Sequence, residues 1–387
     1  MPNPPVNVTK APEISIKVGG EKLTGWTGFQ VVRAIDACAD AFAFSLPFAP
    51  TPKNIQRFKP YSPGVIEIWG DDERFLTGYF EVVSVNSSAD ARNIELQGRS
   101  TTGVLVDWSA GAIYRAGDYK NTETQFLMQG GVVVRKEGAS ETQFEFQGLT
   151  FNQIAAKIAA PNEVKISPSE IPSDTGPMED VSIEPGDTVF DFLSKLASAN
   201  GYFGRATPAG ALHYFRTLGT TPAVVDLHEG DAPIKEIQTY HDVTKRFYRY
   251  QIIASTTGQP GVAAVSYDEV LSPAIRGTQI TEPEQQSADY QQAANLSRSI
   301  ALIESYTATI TVTGFAFRNK SGAWQFWRAG DCLRVYAPGA FVLKPTKLII
   351  KQVTFQLDES GGQQTTLDCA LPEVYSGGYP QVVPWQG

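Results

Sequence analysis

Apolar and polar residues alternate along two separated stretches of the chain, which is the period of half-buried strands. The first covers residues 64–69, 75–85 and 93–97. The second covers 331–336, 347–357 and, after the polar turn 358–362, 366–370. Each stretch is a strand, a loop, a longer strand, a polar turn and a third strand. Two readings are open: one β-unit present twice, or two unrelated antiparallel sheets. Under the first, 76–85 take the place of 348–357 with the same side chains facing inward, because a one-residue slip would reverse every one of them.

The same alternation predicts strands at 13–18, 25–34 and 42–47 ahead of the first stretch. It predicts strands at 246–254, 263–267 and 306–317 ahead of the second. Between them the period changes, and helices are predicted at 122–129, 151–160 and 188–199. In the last, Asp187 reads as the N-cap, Val189, Leu193 and Leu196 share a face, and Asn200 with Gly201 supplies a left-handed stop. A hairpin follows over 202–216, and 161–180 reads as a surface loop. A further helix is predicted at 283–303. Residues 1–12 are proline-rich and loose. The tail carries Tyr375, Tyr379 and Trp385, aromatics that suit an arm docked on a partner or one folded on its own domain.

At 387 residues the chain is long enough for two to four domains. Gly 34, Pro 25 and 11% aromatics fit a turn-rich β protein. The formal charge of -9 argues against a broad basic surface for gripping nucleic acid. Cys38, Cys332 and Cys369 are too few and too scattered for a disulfide framework or zinc site; Cys332 and Cys369, in the second stretch, read as small buried hydrophobes, and folding in a reducing cytoplasm follows. The first residues lack the pattern of a signal peptide, and no apolar run approaches the ~20 residues that span a bilayer.

Candidate chemistry is sparse. HExxH, GxSxG and Walker A patterns are absent from the sequence. The histidines are His213, His228 and His241. His228 with Asp226, Glu229 and Asp231 can be drawn as a metal site, but adjacent turn residues rarely converge on one ion. His241 beside Asp242 reads as a loop pair. The acids between Gly70 and Glu73 read as a hairpin turn. Glu179, Asp180 and Glu184 could supply the carboxylates of a cell-wall-cleaving site, yet they sit in a loop. Glu184 to Val189 also resembles the start of a sugar-binding LysM module, although a hairpin follows where LysM continues with a second helix. The expectation is no catalytic, cofactor or metal residue.

Several segments resemble one family. Residues 97–110 are similar to the "GRSKT-x-DLVD-x-SA" stretch of the Mu-like phage baseplate hub proteins, the tail protein P family. Leu76 to Glu81 resembles its "hTGYhD" strand, 184–197 its "GETVFEALERLA" helix, and 244–250 its "RFSxY" strand. Thr313 to Phe315, Leu348 to Ile350, Val353 to Leu357, Gly361 with Gly362 and Thr365 to Leu367 follow in family order. Departures are Thr101 for a lysine, Val104 for an acid and Trp108 for a cysteine. The resemblance implies a mainly β chain with an α+β insertion: a tube-like β-domain over 1–105, a middle domain over 106–220, a second tube-like β-domain with one helix over 221–372, and an arm over 373–387. It implies a non-enzymatic homotrimer whose pseudo-six-fold ring joins the six-fold tail tube to the trimeric spike. Other baseplate proteins would be partners, and DNA could pass through the channel without specific binding. The particle would be assembled in the host bacterial cytoplasm, with no membrane insertion.

Overall fold

Strands form where apolar residues alternate, and thirteen of them join into one sheet. The computed structural model describes residues 9–385 apart from 24, 26, 36, 60–63, 89–91, 111–125, 130–131, 136–144, 168–175, 179–180, 185, 201, 217–220, 256–259, 275–276, 282–289, 359–361 and 374–383. The first part holds β1 (Thr9–Lys10), β2 (Ile14–Val18), β3 (Glu21–Leu23), β4 (Gly28–Ala34), β5 (Ala41–Pro47), α1 (Pro52–Arg57), β6 (Val65–Gly70), β7 (Glu73–Ser87) and β8 (Arg92–Ser100). The middle holds α2 (Val104–Asp107), β9 (Phe126–Gln129), β10 (Val132–Arg135), β11 (Glu145–Phe146), α3 (Phe151–Ala159), β12 (Val181–Ser182), α4 (Val189–Ala199), β13 (Phe203–Ala206) and β14 (Leu212–Phe215). The last part begins with β15 (Ala223–His228), β16 (Ile234–His241), β17 (Arg249–Ser255), β18 (Pro260–Tyr267), β19 (Thr278–Thr281) and α5 (Tyr290–Ser305). It ends with β20 (Tyr306–Thr313), β21 (Ala316–Arg318), β22 (Trp324–Phe326), β23 (Cys332–Ala337), β24 (Val342–Asp358) and β25 (Gly362–Ala370). The protein is thus mainly β, with antiparallel pairing dominant.

The large sheet contains one strand order twice. In the first part the order is β2-β6-β7-β8-β5-β4; in the last part it is β15-β23-β24-β25-β20-β16. Numbered by appearance in the chain, both read first, fourth, fifth, sixth, third, second. The long strand of each unit carries a bulge at the same place. Glu81 is the extra residue of β7 against β8, and Lys351 is the extra residue of β24 against β25. The core-facing row Val83, Leu96, Phe44, Phe29 then matches Val353, Leu367, Ile310, Ile237. The opposite face gives Ser84, Glu95, Ser45, Gly28 against Thr354, Thr366, Thr311, Glu236 by the same pairings. The first strand departs from the repeat: β2 is antiparallel to β6, whereas β15 is parallel to β23.

The bulges correct the alignment expected from sequence. Leu76 takes the place of Thr346 rather than Leu348, a shift of two residues that leaves the alternation intact. The units are joined along β24. Its proximal half pairs with β23, and its distal half pairs on the same edge with β4 of the first unit. One apolar core runs through both, and Phe355 meets Phe75 at 4.6 Å and Phe315 at 5.3 Å there.

Other local expectations change for identifiable reasons. The strand expected over 306–317 is cut at Gly314, whose φ of +81° turns the chain and whose missing Cβ leaves room for the Lys10 carbonyl. Residues 126–129 form β9 paired with β10 instead of a helix, because a partner strand decides a short apolar run. Residues 122–125 of that expected helix lie outside the described residues. The cap of α4 is Thr188, not Asp187: its hydroxyl accepts from Asp191 N at 3.0 Å, and Asp191 answers the Thr188 N–H. Asp187 instead accepts from Lys195 at 3.1 Å. The helix expected over 283–303 is α5, described from Tyr290 onward.

A second core lies in the middle region, where α3 and α4 pack with the β13–β14 hairpin. Phe151 stands edge-on to Tyr214 with ring centroids 4.8 Å apart. Cys38, Cys332 and Cys369 are free and buried, and burial pushes the Cys38 and Cys332 thiols up to about 12.

Candidate functional site

The motif residues singled out in sequence meet where β7, β8 and α2 converge. Arg99 donates from Nη2 to Glu81 at 2.6 Å and to Asp107 at 2.8 Å, and from Nε to Glu81 at 3.0 Å. Glu81 is the bulge residue, Arg99 is the last but one of β8, and Asp107 ends α2. Hydrogen bonds from Arg99 to the two carboxylates hold its guanidinium well above its ordinary pKa. All three side chains are part-exposed, so each bridge contributes at most ~1 kcal/mol. Gly78 and Gly98 belong to the same motifs. A Cβ on Gly98 would lie 1.9 Å from the Tyr79 carbonyl oxygen, and one on Gly78 would lie 2.3 Å from that of Arg99. These motif residues therefore shape a strand crossing; none is placed as a nucleophile or base.

The sheet face turned away from the core is polar. Gln30, Gln97 and Gln356 stand on it with Ser45, Ser84, Thr311, Thr354 and Thr366, and shallow grooves cross it beside Ala43 and Gln97. Asp368 on this face accepts from Thr309 Oγ1 at 2.7 Å and Gln352 Nε2 at 3.4 Å. Amide and hydroxyl groups in rows make a wetted wall rather than a pocket that encloses a small molecule. The strand stretches bonded on one side only among the described residues include β7 beyond Tyr79 and β16, along with β3 and β15.

A cleft between the sheet and the β13–β14 hairpin gathers Arg33, Asp40, Arg205, His213 and Arg328. Arg33 Nε reaches Asp40 at 2.8 Å with both side chains buried, and Arg33 Nη2 reaches the Ala206 carbonyl at 3.3 Å. Arg205 donates to the Ala329 carbonyl. These contacts clamp the hairpin to the sheet.

Of the turn candidates read from sequence, His228 and Asp231 face each other, while Asp226 and Glu229 go to other partners. Asp226 pairs with Lys320 at 3.1 Å, Glu229 accepts from Gly339 N at 2.8 Å, and His228 faces Asp231 at 3.3 Å. The turn therefore does not converge on one point. Asp71 sits in a hairpin with φ +50° and accepts from Glu13 N at 2.9 Å. Glu184 pairs with Lys195 at 2.7 Å; Glu179 and Asp180 lie outside the described residues. Asp242 accepts from Thr244 N and Oγ1, at 2.8 and 2.6 Å.

The tail returns to its own chain at Trp385, whose ring lies 5.2 Å from His241 and 5.4 Å from Tyr306. Tyr375 and Tyr379 lie outside the described residues. Burial holds His241 below the ordinary histidine value of 6.5. The folded state thus favours the neutral ring, so its contribution is complete above 6.5 and is lost as pH falls through the depressed value. Acidification is expected to undock Trp385 and shift its emission to the red, read as the difference from Trp385→Phe. An emission difference that stays flat between pH 8 and 5 would refute the coupling.

Comparison with known proteins bears on the whole chain. A family model described as the Mu phage baseplate assembly protein GpP-like N-terminal domain matches residues 13–100. A model of the second domain of baseplate hub protein gp44-like proteins matches residues 138–215, the stretch that includes the LysM-like start. The chain is 22% identical over 381 residues to the baseplate hub protein gp44 of Escherichia phage Mu, covering 93% of this chain and 88% of that protein. The fold is similar to that of a tail protein from Neisseria meningitidis MC58, with TM-score 0.74 and 21% identity over 96% of this chain and 100% of the other. It is also similar to the 43 kDa tail protein of prophage MuSo2 from Shewanella oneidensis, with TM-score 0.72 and 21% identity over 94% of this chain and 98% of the other. With two domain models in family order and a relative matched over nearly its whole length, the chain is similar throughout to the Mu-like baseplate hub proteins of phage tails.

Proposed function

We propose that three copies of this baseplate hub chain close into a ring of six similar strand units. The ring would join a six-fold tail tube on one side to a trimeric spike on the other. The observation that carries this reading is the strand order present twice in one sheet, with matched bulges. Two similar units in each of three chains share a full turn six ways, about sixty degrees apart. The units would correspond to tube-like domains over 1–105 and 221–372, with 106–220 as a decoration of the ring and 373–387 as an arm. The polar sheet face would line the channel. Its glutamines, serines and threonines, in a chain of charge -9, offer passing DNA no cationic grip. The role is geometric and non-enzymatic, and assembly would take place in the host cytoplasm.

Light scattering on the purified chain tests the reading. The expected mass is three times 42.1 kDa. A stable dimer or hexamer would rule out the three-fold ring.

A further inference from the structure

The junction between the two units inside one chain supplies the geometry of a second junction between chains. Within the chain, the distal half of β24 pairs with β4, from Gln352 opposite Ala34 to Asp358 opposite Gly28. Each partner has a counterpart in the other unit. The matched bulges equate 352–358 with 82–88. Ladder pairs followed through β8 and β5, and through β25 and β20, equate 28–34 with 236–242. The counterpart of the β24–β4 junction is therefore β7 against β16, and each of those stretches is bonded on one side only among the described residues.

Burial points the same way. Val353 and Phe355 of β24 are fully buried, whereas Val85, which stands where Phe355 stands, is 50% exposed. Phe29 and Val31 of β4 are buried, whereas their counterparts Ile237 and Thr239 are half-buried. Side chains on the core side of both edges thus lack the cover that their counterparts receive. An unpaired edge with apolar residues is a template for another strand.

Resting on the ring reading, we propose that β7 of one copy pairs antiparallel with β16 of the next. The register places Val82 opposite Asp242, Ser84 opposite Tyr240, Val85 opposite Thr239 and Asn86 opposite Gln238. The occupant of each edge is a second copy of this chain, because the complementary edge is its own. The contact is head-to-tail, and it alternates around the ring with the intramolecular β24–β4 junction. It closes at three copies when each unit turns by about sixty degrees.

Cysteine cross-linking of the full chain tests the register. Asn86 and Gln238 are both exposed and lie on the polar face. Opposed residues in an antiparallel ladder have Cα atoms about 4.5–5.5 Å apart, within reach of a disulfide. The native cysteines are buried. On mild oxidation, Asn86→Cys with Gln238→Cys is expected to give covalent dimers and trimers on a non-reducing gel. Either single variant, or Asn86→Cys with Tyr240→Cys, should give at least five-fold less. Val85→Glu, at a half-exposed side chain, should weaken trimer formation at least ten-fold while leaving the monomer's melting temperature unchanged. A trimer by mass that neither cross-links in this register nor responds to Val85→Glu overturns the pairing and leaves the ring standing. A chain that stays monomeric and uncross-linked at every concentration overturns both.

Discussion

Asp40→Ala is expected to destabilise the chain by about 3–5 kcal/mol, because it leaves Arg33 buried without its counter-charge. The Arg33 and Asp40 side chains are 9% and 3% exposed, so water cannot replace the lost partner. Burial pushes the Asp40 carboxyl above its ordinary range, and Arg33 beside it offsets that only in part. The pair also anchors two strand ends. Ser100 N donates to the Asp40 carbonyl at 2.8 Å, Asp40 N donates to Ser100 Oγ at 3.0 Å, and Arg33 reaches across to Ala206. Arg33→Met with Asp40→Leu should cost much less than Asp40→Ala alone, since replacing both charges removes the uncompensated one. Urea midpoints of the three proteins give the comparison. A single-variant cost below about 1 kcal/mol would mean the site is wet in solution.

The sequence made most of the large sheet legible because alternation is strong where one face is buried. Residues 13–18, 42–47, 65–69 and 75–85 all fall in strands within a few residues of the expected limits. β16 was missed, and its sequence explains why. Ile234, Lys235, Glu236, Ile237 and Gln238 barely alternate, and no side chain of this strand is fully buried in the single chain. A strand whose cover comes from another copy would carry a weak signal in its own sequence. α4 was legible from its apolar face, but its cap was displaced by one residue, since Asp187 and Thr188 are both good caps and only the Asp191 reciprocity separates them. The β24–β4 pairing joins residues more than three hundred positions apart, and no local pattern encodes it. The family motifs proved to be crossing glycines and an ion cluster. Their chemistry was visible in sequence as Gly78, Gly98, Glu81, Arg99 and Asp107, while their convergence was not. Histidines and acids that could be drawn as a site were dispersed because turn residues point outward to separate partners.

Phe355→Ala is expected to cost about 3–5 kcal/mol and to do so in a single cooperative transition. Phe355 is fully buried and touches both units: Phe75 belongs to β7, and Phe315 lies beyond β20. The same ring cluster includes Phe326, whose centroid is 5.0 Å from that of Phe75. Truncation removes edge-to-face contacts on two sides and leaves a cavity that rigid strands close poorly. Because the core is continuous, the loss should be felt by the first unit as strongly as by the last. Hydrogen exchange should therefore rise in β7 and β24 together. Two domains with separate cores would give another result: β24 and its neighbours would open first, and β7 would keep its protection. Two resolved unfolding steps, with only the later-numbered half responding to Phe355→Ala, would show that the units are separate bodies and that the shared sheet does not couple them.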